Sequence, residues 1–278
     1  MVLFPNCKIN LGLNIIRKRE DGYHDIETVF YPLGLKDALE GIKSGAGSAI
    51  GGMESGVQFS SSGLEIKGNP ADNLCVKAWQ LLKKDFPDLH GMQIHLHKAI
   101  PMGAGLGGGS ADGAFSLLLI NELCNLNLSL DQLIHYALQL GSDCPFFILN
   151  KPCFATGRGE KMQAIKLDLS QYKFVIINPN IHISTATAFA EIKPGKPARS
   201  IDEIIQLPVA EWKEWLLNDF EKTVSILHPE IELIKQEFYK KGALYASMTG
   251  SGSTVYGIFE KNTNPKPSLN PAWPIHII

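Results

Sequence analysis

Apolar and polar residues alternate almost from the start of the chain. Cys7, Ile9, Leu11, Leu13 and Ile15 fall on one phase, and Lys8, Asn10, Gly12 and Asn14 on the other. A period of two predicts a strand with one packed and one polar face. Asp21-Gly22 tips a turn, and Tyr23 to Phe30 reads as the returning strand. From 41 to 63 the pattern fades into glycine and serine, so short strands joined by turns are expected there. Asn69-Pro70 marks a further turn, after which Asp72 or Asn73 caps a helix carrying Leu74, Ala78, Leu81 and Leu82. Met92, Ile94 and Leu96 alternate in a strand running towards Pro101.

A dense glycine run occupies 103–109, and the apolar stretch beyond it predicts a largely buried helix from Ala111 to about Leu126. Ser129 or Asp131 opens another helix, faced by Leu133, Tyr136, Ala137 and Leu140 and stopped by Gly141. The short apolar run 144–149 predicts a strand. Gly157-Arg158-Gly159 is the expected boundary between domains 1–159 and 160–278. In the second, a strand at 174–177, helices near 183–190, 210–220 and 229–240, a glycine-serine turn at 249–253 and a strand at 254–259 are expected. A proline-rich tail with Trp273, Ile275, Ile277 and Ile278 packs on its own domain or on another subunit.

Composition narrows the class. A chain of 278 residues fits roughly two domains at about 150 residues each. Hydrophobic residues at 45% and charged residues at 19% suffice for a real core. With 26 Lys+Arg against 28 Asp+Glu and no basic stripe, nucleic acid is not an expected partner. Five cysteines without CxxC spacing read as reduced, buried thiols. No stretch approaches the roughly 18–20 apolar residues of a membrane span, and no charged leader opens the chain. A soluble cytoplasmic protein without a membrane partner is expected.

Chemistry concentrates at 101–112, Pro-Met-Gly-Ala-Gly-Leu-Gly-Gly-Gly-Ser-Ala-Asp, where a strand gives way to a helix. Unpaired N–H groups at a helix start, together with the helix dipole, favour phosphate, and glycines let the backbone approach it closely. Ser110 adds a hydroxyl for a phosphate oxygen or Mg²⁺. The run satisfies GxGxxG, yet it lies a hundred residues into the chain, far from the first strand–turn–helix unit of a dinucleotide fold. No Lys-Ser/Thr pair follows it, so it is not a Walker A loop. If ATP binds there, its charge must be met by backbone N–H groups, metal and a lysine from elsewhere.

Three segments together resemble the motifs of the GHMP kinases, the small-molecule kinase superfamily that includes galactokinase, homoserine kinase, mevalonate kinase and phosphomevalonate kinase. They are Pro5-Asn6-Cys7-Lys8-Ile9-Asn10-Leu11, the glycine run, and Met248-Thr249-Gly250-Ser251-Gly252-Ser253-Thr254-Val255. Asp21-Gly22-Tyr23-His24 and Gly141-Ser142-Asp143-Cys144-Pro145-Phe146 resemble the branch acting on a cytidine-diphosphate-linked alcohol. The resemblance implies an α+β GHMP kinase fold of two domains with the active site in the cleft between them. It also implies transfer of the ATP γ-phosphate to the 2-hydroxyl of diphosphocytidyl-methylerythritol, with Mg²⁺, by a monomer or homodimer.

The resemblance further implies that Lys8 and Asp143 are the catalytic pair, with Asp143 accepting or orienting the hydroxyl proton. ATP would lie against Pro101, Gly103, Ala104, Gly105, Leu106, Gly107, Gly108, Gly109, Ser110 and Ala111, with Asn69 and Asn73 near the adenosine and Ser110 on the metal. Asn10 and His24 fall on the substrate side, Tyr23 and Phe189 around the cytosine, and Thr185, Gly250, Ser251, Gly252 and Ser253 at the substrate phosphates. Cys7 stands where alanine is common in the first motif, and Gly113 likewise follows Asp112, which weakens the early helix by about 1 kcal/mol.

Bottom-up chemistry bears on the same residues. A lysine on a polar strand face is an ordinary solvated charge unless other groups recruit it, and here it is suited to offsetting charge on a moving phosphoryl group. Asp143, between Gly141 and Pro145, sits on a short rigid connection. Its expected contribution is orientation and charge more than basicity. Tyr23, His24 and Phe189 serve either as core cover or as stacking partners for a base. His95 and His97 share a strand face but have no metal-ligand partner at useful spacing, which favours a solvated or satisfied pair.

Overall fold

The computed structural model describes residues 1–44, 56–184, 188–189 and 192–278. Residues 45–55 of the glycine-serine segment, Thr185 and much of the helix expected at 183–190 lie outside the described residues. A short strand β1 (Val2–Leu3) precedes two long ones, β2 (Asn6–Lys18) and β3 (His24–Lys36). β2 is buried on both faces: beside the apolar phase, Lys8, Asn10 and Asn14 are also enclosed. The alternation is present, but its polar face looks into protein.

The chain forms two compact units interleaved in sequence. One comprises Met1–Cys7, Gly34–Met102 and Gly107–Asn150, and the other Lys8–Leu33, Gly103–Leu106 and Lys151–Ile278. In the first, β1, β4 (Ala38–Lys43), β6 (Met92–Lys98) and β5 (Val57–Gly63) form a sheet in that order, with β5 parallel to β6. Four helices pack together in this unit: α1 (Leu74–Asp85), α2 (Gly108–Cys124), α3 (Leu130–Leu140) and α4 (Cys144–Leu149), with α2 against β4. Gly113 is required where α1 meets α2, because a Cβ there would stand 2.8 Å from that of Leu74. Asn73, rather than Asp72, caps α1 through the Cys75 N–H. Ser129 opens α3 with a full capping box closed by Gln132.

The apolar run 144–149, expected as a strand, is the helix α4. Periodicity cannot separate a six-residue buried helix from a strand, and Pro145 in its first turn fits a helix start. The glycine-run helix also begins earlier than expected, at Gly108 rather than Ala111.

The second unit holds two sheets. One runs β2-β3-β7-β8, with β7 (Cys153–Gly157) and β8 (Lys161–Ala164) antiparallel. The other runs β10-β11-β9-β12, formed by β10 (Tyr245–Met248), β11 (Val255–Glu260), β9 (Tyr172–Ile177) and β12 (Ile275–Ile277). The tail is therefore a strand of its own unit, paired antiparallel with β9. Helices α5 (Asp219–Leu227) and α6 (Glu230–Lys240) bury Phe220, Val224, Ile231, Ile234 and Phe238 in a core shared with Leu13, Ile15, Val175, Ile177, Met248 and Phe259. The single helix expected over 210–220 is broken. Leu216 is extended, and the next two residues run beside β2, where Leu13 N–H donates to the Leu217 carbonyl and Leu13 bridges Asn218. Pairing with a strand overrides local helix periodicity there.

Candidate active site

The glycine run turns through left-handed conformations at Gly103, Gly105 and Gly107 before α2 begins. Gly105 is there by necessity, since a Cβ would overlap the Thr249 carbonyl oxygen and its φ is +80°. In α2 the Ala111 N–H already reaches the Gly107 carbonyl. The N–H groups from Gly107 to Ser110 thus have no intrahelical acceptor and gather at the positive end of the helix dipole. With glycine at three of those four positions, little side-chain bulk screens them. Ser110, the fourth, shares a hydrogen bond with the Cys144 thiol, which burial pushes up to about 12.

Beneath this helix start lies a buried ionic group that sequence reading missed. The Lys98 ammonium meets Asp37 Oδ2 at 2.5 Å and Asp112 Oδ2 at 2.7 Å. Asp37 Oδ1 accepts the N–H groups of Ala99 and Ile100. Burial raises the Asp112 carboxyl to about 7 against the pull of Lys98, and its Oδ1 has no hydrogen-bond partner. The signal was present: Lys98 continues the inward phase of Met92, Ile94 and Leu96.

Asn69 and Asn73 form consecutive caps, accepting from Ala71 N–H and Cys75 N–H. Asp143 precedes α4 with helical dihedrals, and its carbonyl accepts the Phe146 N–H.

On β2, Lys8 is 4% exposed. Its ammonium donates to Asn10 Oδ1 at 2.6 Å and stands 4.9 Å from the centre of the Phe30 ring. Its backbone N–H donates to the Leu106 carbonyl at 3.0 Å. Asn10 is fixed in turn: Nδ2 donates to Thr28 Oγ1, the backbone N–H to Thr249 Oγ1, and its carbonyl accepts from the Tyr256 hydroxyl. Thr249 Oγ1 lies 3.1 Å from the Gly105 carbonyl and Thr28 Oγ1 donates to Gly12, so two threonines carry polar contacts the sequence did not announce.

The GHMP kinases N terminal domain matches residues 73–151 and the GHMP kinases C terminal region matches residues 200–267. A 4-diphosphocytidyl-2-C-methyl-D-erythritol kinase of Bacteroides thetaiotaomicron is 55% identical over 94% of this chain and 92% of its own. The chain belongs to the 4-diphosphocytidyl-2-C-methyl-D-erythritol kinase family of GHMP kinases. The Parabacteroides distasonis kinase of the same name is 47% identical over 96% of this chain and 94% of its own. A crystal structure of a 4-(cytidine 5'-diphospho)-2C-methyl-D-erythritol kinase superposes with a TM-score of 0.78, at 29% identity over 93% of this chain and 90% of that one. The α+β GHMP kinase fold is thereby established.

Within this family chain, the aromatic residues expected around a base are divided. His24 stacks on Phe189 with centroids 4.5 Å apart and planes 16° apart. Burial and the Lys18 charge lower the His24 pKa, which favours the neutral imidazole. Phe189 also meets the edge of Phe220 at 4.8 Å. Tyr23 is 56% exposed, with the Arg158 guanidinium 4.9 Å from its ring centre. At the third motif, Ser253 is buried and its hydroxyl donates to the Ile181 carbonyl at 2.6 Å, committing its one proton inside the fold. The Gly252 N–H closes onto the Thr249 carbonyl. Thr185 lies outside the described residues.

His95 and His97 are satisfied by serines of β5: Ser60 Oγ and Ser62 Oγ meet the two nitrogens of His95, and Ser62 Oγ meets His97 Nδ1. Among the described residues no group of three or more His, Cys, Asp or Glu is placed to hold a metal, and no helix is long and apolar enough to cross a membrane.

Proposed function

We propose that this chain transfers the γ-phosphoryl group of ATP to the 2-hydroxyl of 4-diphosphocytidyl-2-C-methyl-D-erythritol, in the non-mevalonate route to isoprenoid precursors. The observation that carries the reading is the join between Lys8 and the glycine run. The Lys8 N–H donates to the Leu106 carbonyl, so one backbone bond registers a buried ammonium against the phosphate loop.

Phosphoryl transfer asks the protein for position and charge rather than covalent chemistry. The N–H groups from Gly107 to Ser110 receive phosphate oxygens on a preorganised surface. The Lys8 ammonium, enclosed and aimed by Asn10, offsets negative charge as the phosphoryl group moves and favours the alkoxide of the acceptor. Asp143 orients the hydroxyl and takes its proton late. His24 and Phe189 offer a stacked aromatic surface to the cytosine, with Tyr23 beside the same turn. The Gly250–Ser253 turn receives the diphosphate of the substrate.

Magnesium fits as a hard cation that takes oxygen ligands. The Ser110 hydroxyl is the ligand this chain offers it, with phosphate oxygens and water completing the set. When bound, it neutralises phosphate charge. The expected solution state is a monomer or homodimer in the cytoplasm.

The test is ADP release. Purified protein with Mg²⁺-ATP should form ADP rapidly on addition of the cytidyl alcohol, and slowly or not at all with mevalonate or homoserine. Equal rates with mevalonate would overturn the substrate assignment.

A further inference from the structure

Thr28 has no role in the reading so far, yet it is wholly buried on β3 and its hydroxyl is used twice. Oγ1 donates to the Gly12 carbonyl at 2.6 Å and accepts from Asn10 Nδ2 at 3.0 Å. Both partners lie on β2, the neighbouring strand of the same sheet. Gly12 stands at φ +68°, a backbone region that glycine enters without strain, and a Cβ there would come within 2.6 Å of Leu216 Cδ1.

An asparagine amide has a donor end and an acceptor end of nearly the same shape, and its partners decide which way round it sits. Thr28 has one hydroxyl proton, and that proton is committed to Gly12. Towards Asn10 the hydroxyl can therefore only accept, so it takes the Nδ2 end. The Oδ1 end is left facing the Lys8 ammonium at 2.6 Å. The reversed amide would set its protons against the ammonium and its oxygen against the hydroxyl oxygen.

Other groups hold the backbone of Asn10. Its N–H donates to Thr249 Oγ1, and its carbonyl accepts from the Tyr256 hydroxyl. These bonds place the Cα of Asn10 but leave its side-chain torsions to be set by Lys8 and Thr28. Lys8, Asn10 and Thr28 are each 4% exposed or less, so little water reaches the amide to replace a lost partner.

Resting on the proposed kinase reading, we propose that Thr28 is a positioning residue for phosphoryl transfer: its hydroxyl, spanning Gly12 and Asn10, orients the Asn10 amide so that Oδ1 aims the Lys8 ammonium. Thr28 acts through Asn10 and touches no reacting atom.

Thr28→Val keeps the β-branched shape and deletes the hydroxyl. Per folded enzyme, kcat for the cytidyl alcohol should fall about tenfold or more, with KM for ATP within about twofold of wild type. Thr28→Ser, which retains the hydroxyl, should recover most of that rate. In an Asn10→Ala background the same Thr28→Val change should alter kcat by less than about twofold, because its effect passes through the amide. A folded Thr28→Val enzyme that loses thermal stability but keeps wild-type kcat would overturn the proposal, as would an equal loss of kcat with and without Asn10. If Thr28→Val fails to fold, the wild-type protein decides. Its Asn10 side-chain amide protons should exchange with deuterium as slowly as the backbone amides of β2, and exchange as fast as at an exposed asparagine contradicts the proposal. A wild-type enzyme inert towards the cytidyl alcohol defeats the kinase reading instead, and the exchange measurement still reports the hold of Thr28 on Asn10.

Discussion

Lys8 shows how one side chain becomes chemically committed. A lysine normally keeps its ammonium in water, yet this one is nearly enclosed and is held by Asn10 and the face of Phe30. Such a charge is kept for its field, and removing it should cost rate more than binding. Lys8→Met should lower kcat by about 100-fold or more with little change in KM for ATP, measured by steady-state ADP release. A fall below about threefold would take Lys8 out of the transfer step. The thiols show the opposite case, burial without commitment. Cys75 and Cys144 are pushed up to about 12 and Cys153 to about 11 by burial. A raised thiol pKa leaves little thiolate at pH 8. Iodoacetamide at that pH should spare these three in the folded protein and modify them after denaturation, as read by peptide mass.

Among the elements, the start of α2 depends most on what lies beneath it. Lys98, at the end of β6, is enclosed with Asp37 and Asp112, and both carboxylates lose their cation if it is removed. Breaking such a buried group from one side is costly, so Lys98→Met should destabilise by roughly 3–5 kcal/mol. Urea unfolding checks this, and a loss below about 1 kcal/mol would show that the group carries little of the fold. The same elements show where sequence is legible. Lys8 and Asn10 stood out because a period-two strand isolates its polar phase, and the glycine run stood out by density. Lys98 lies on an inward phase too, but its partner Asp37 is 61 positions away and no local pattern announces it. The helix α4 was misread because six apolar residues have no period to measure, and 210–220 because Leu217 and Asn218 are claimed by β2.

At the scale of the whole molecule, the chain reads as a small-molecule kinase through the order of its motifs rather than through any single one. Its two compact units are interleaved, and Lys8 begins a segment of one unit just as Gly107 begins a segment of the other. With 26 Lys+Arg against 28 Asp+Glu, the chain has a net charge close to zero and so sets up little overall repulsion against an anion. The central claim is regiospecific transfer to one hydroxyl, and the product tests it most directly. The acceptor carbon bears the methyl branch and therefore no hydrogen. After reaction of the cytidyl alcohol with Mg²⁺-ATP, the proton-coupled ³¹P spectrum of the product should show a new phosphomonoester as a singlet beside the intact diphosphate. A new phosphomonoester split by carbinol protons, or none despite ATP consumption, would contradict the account.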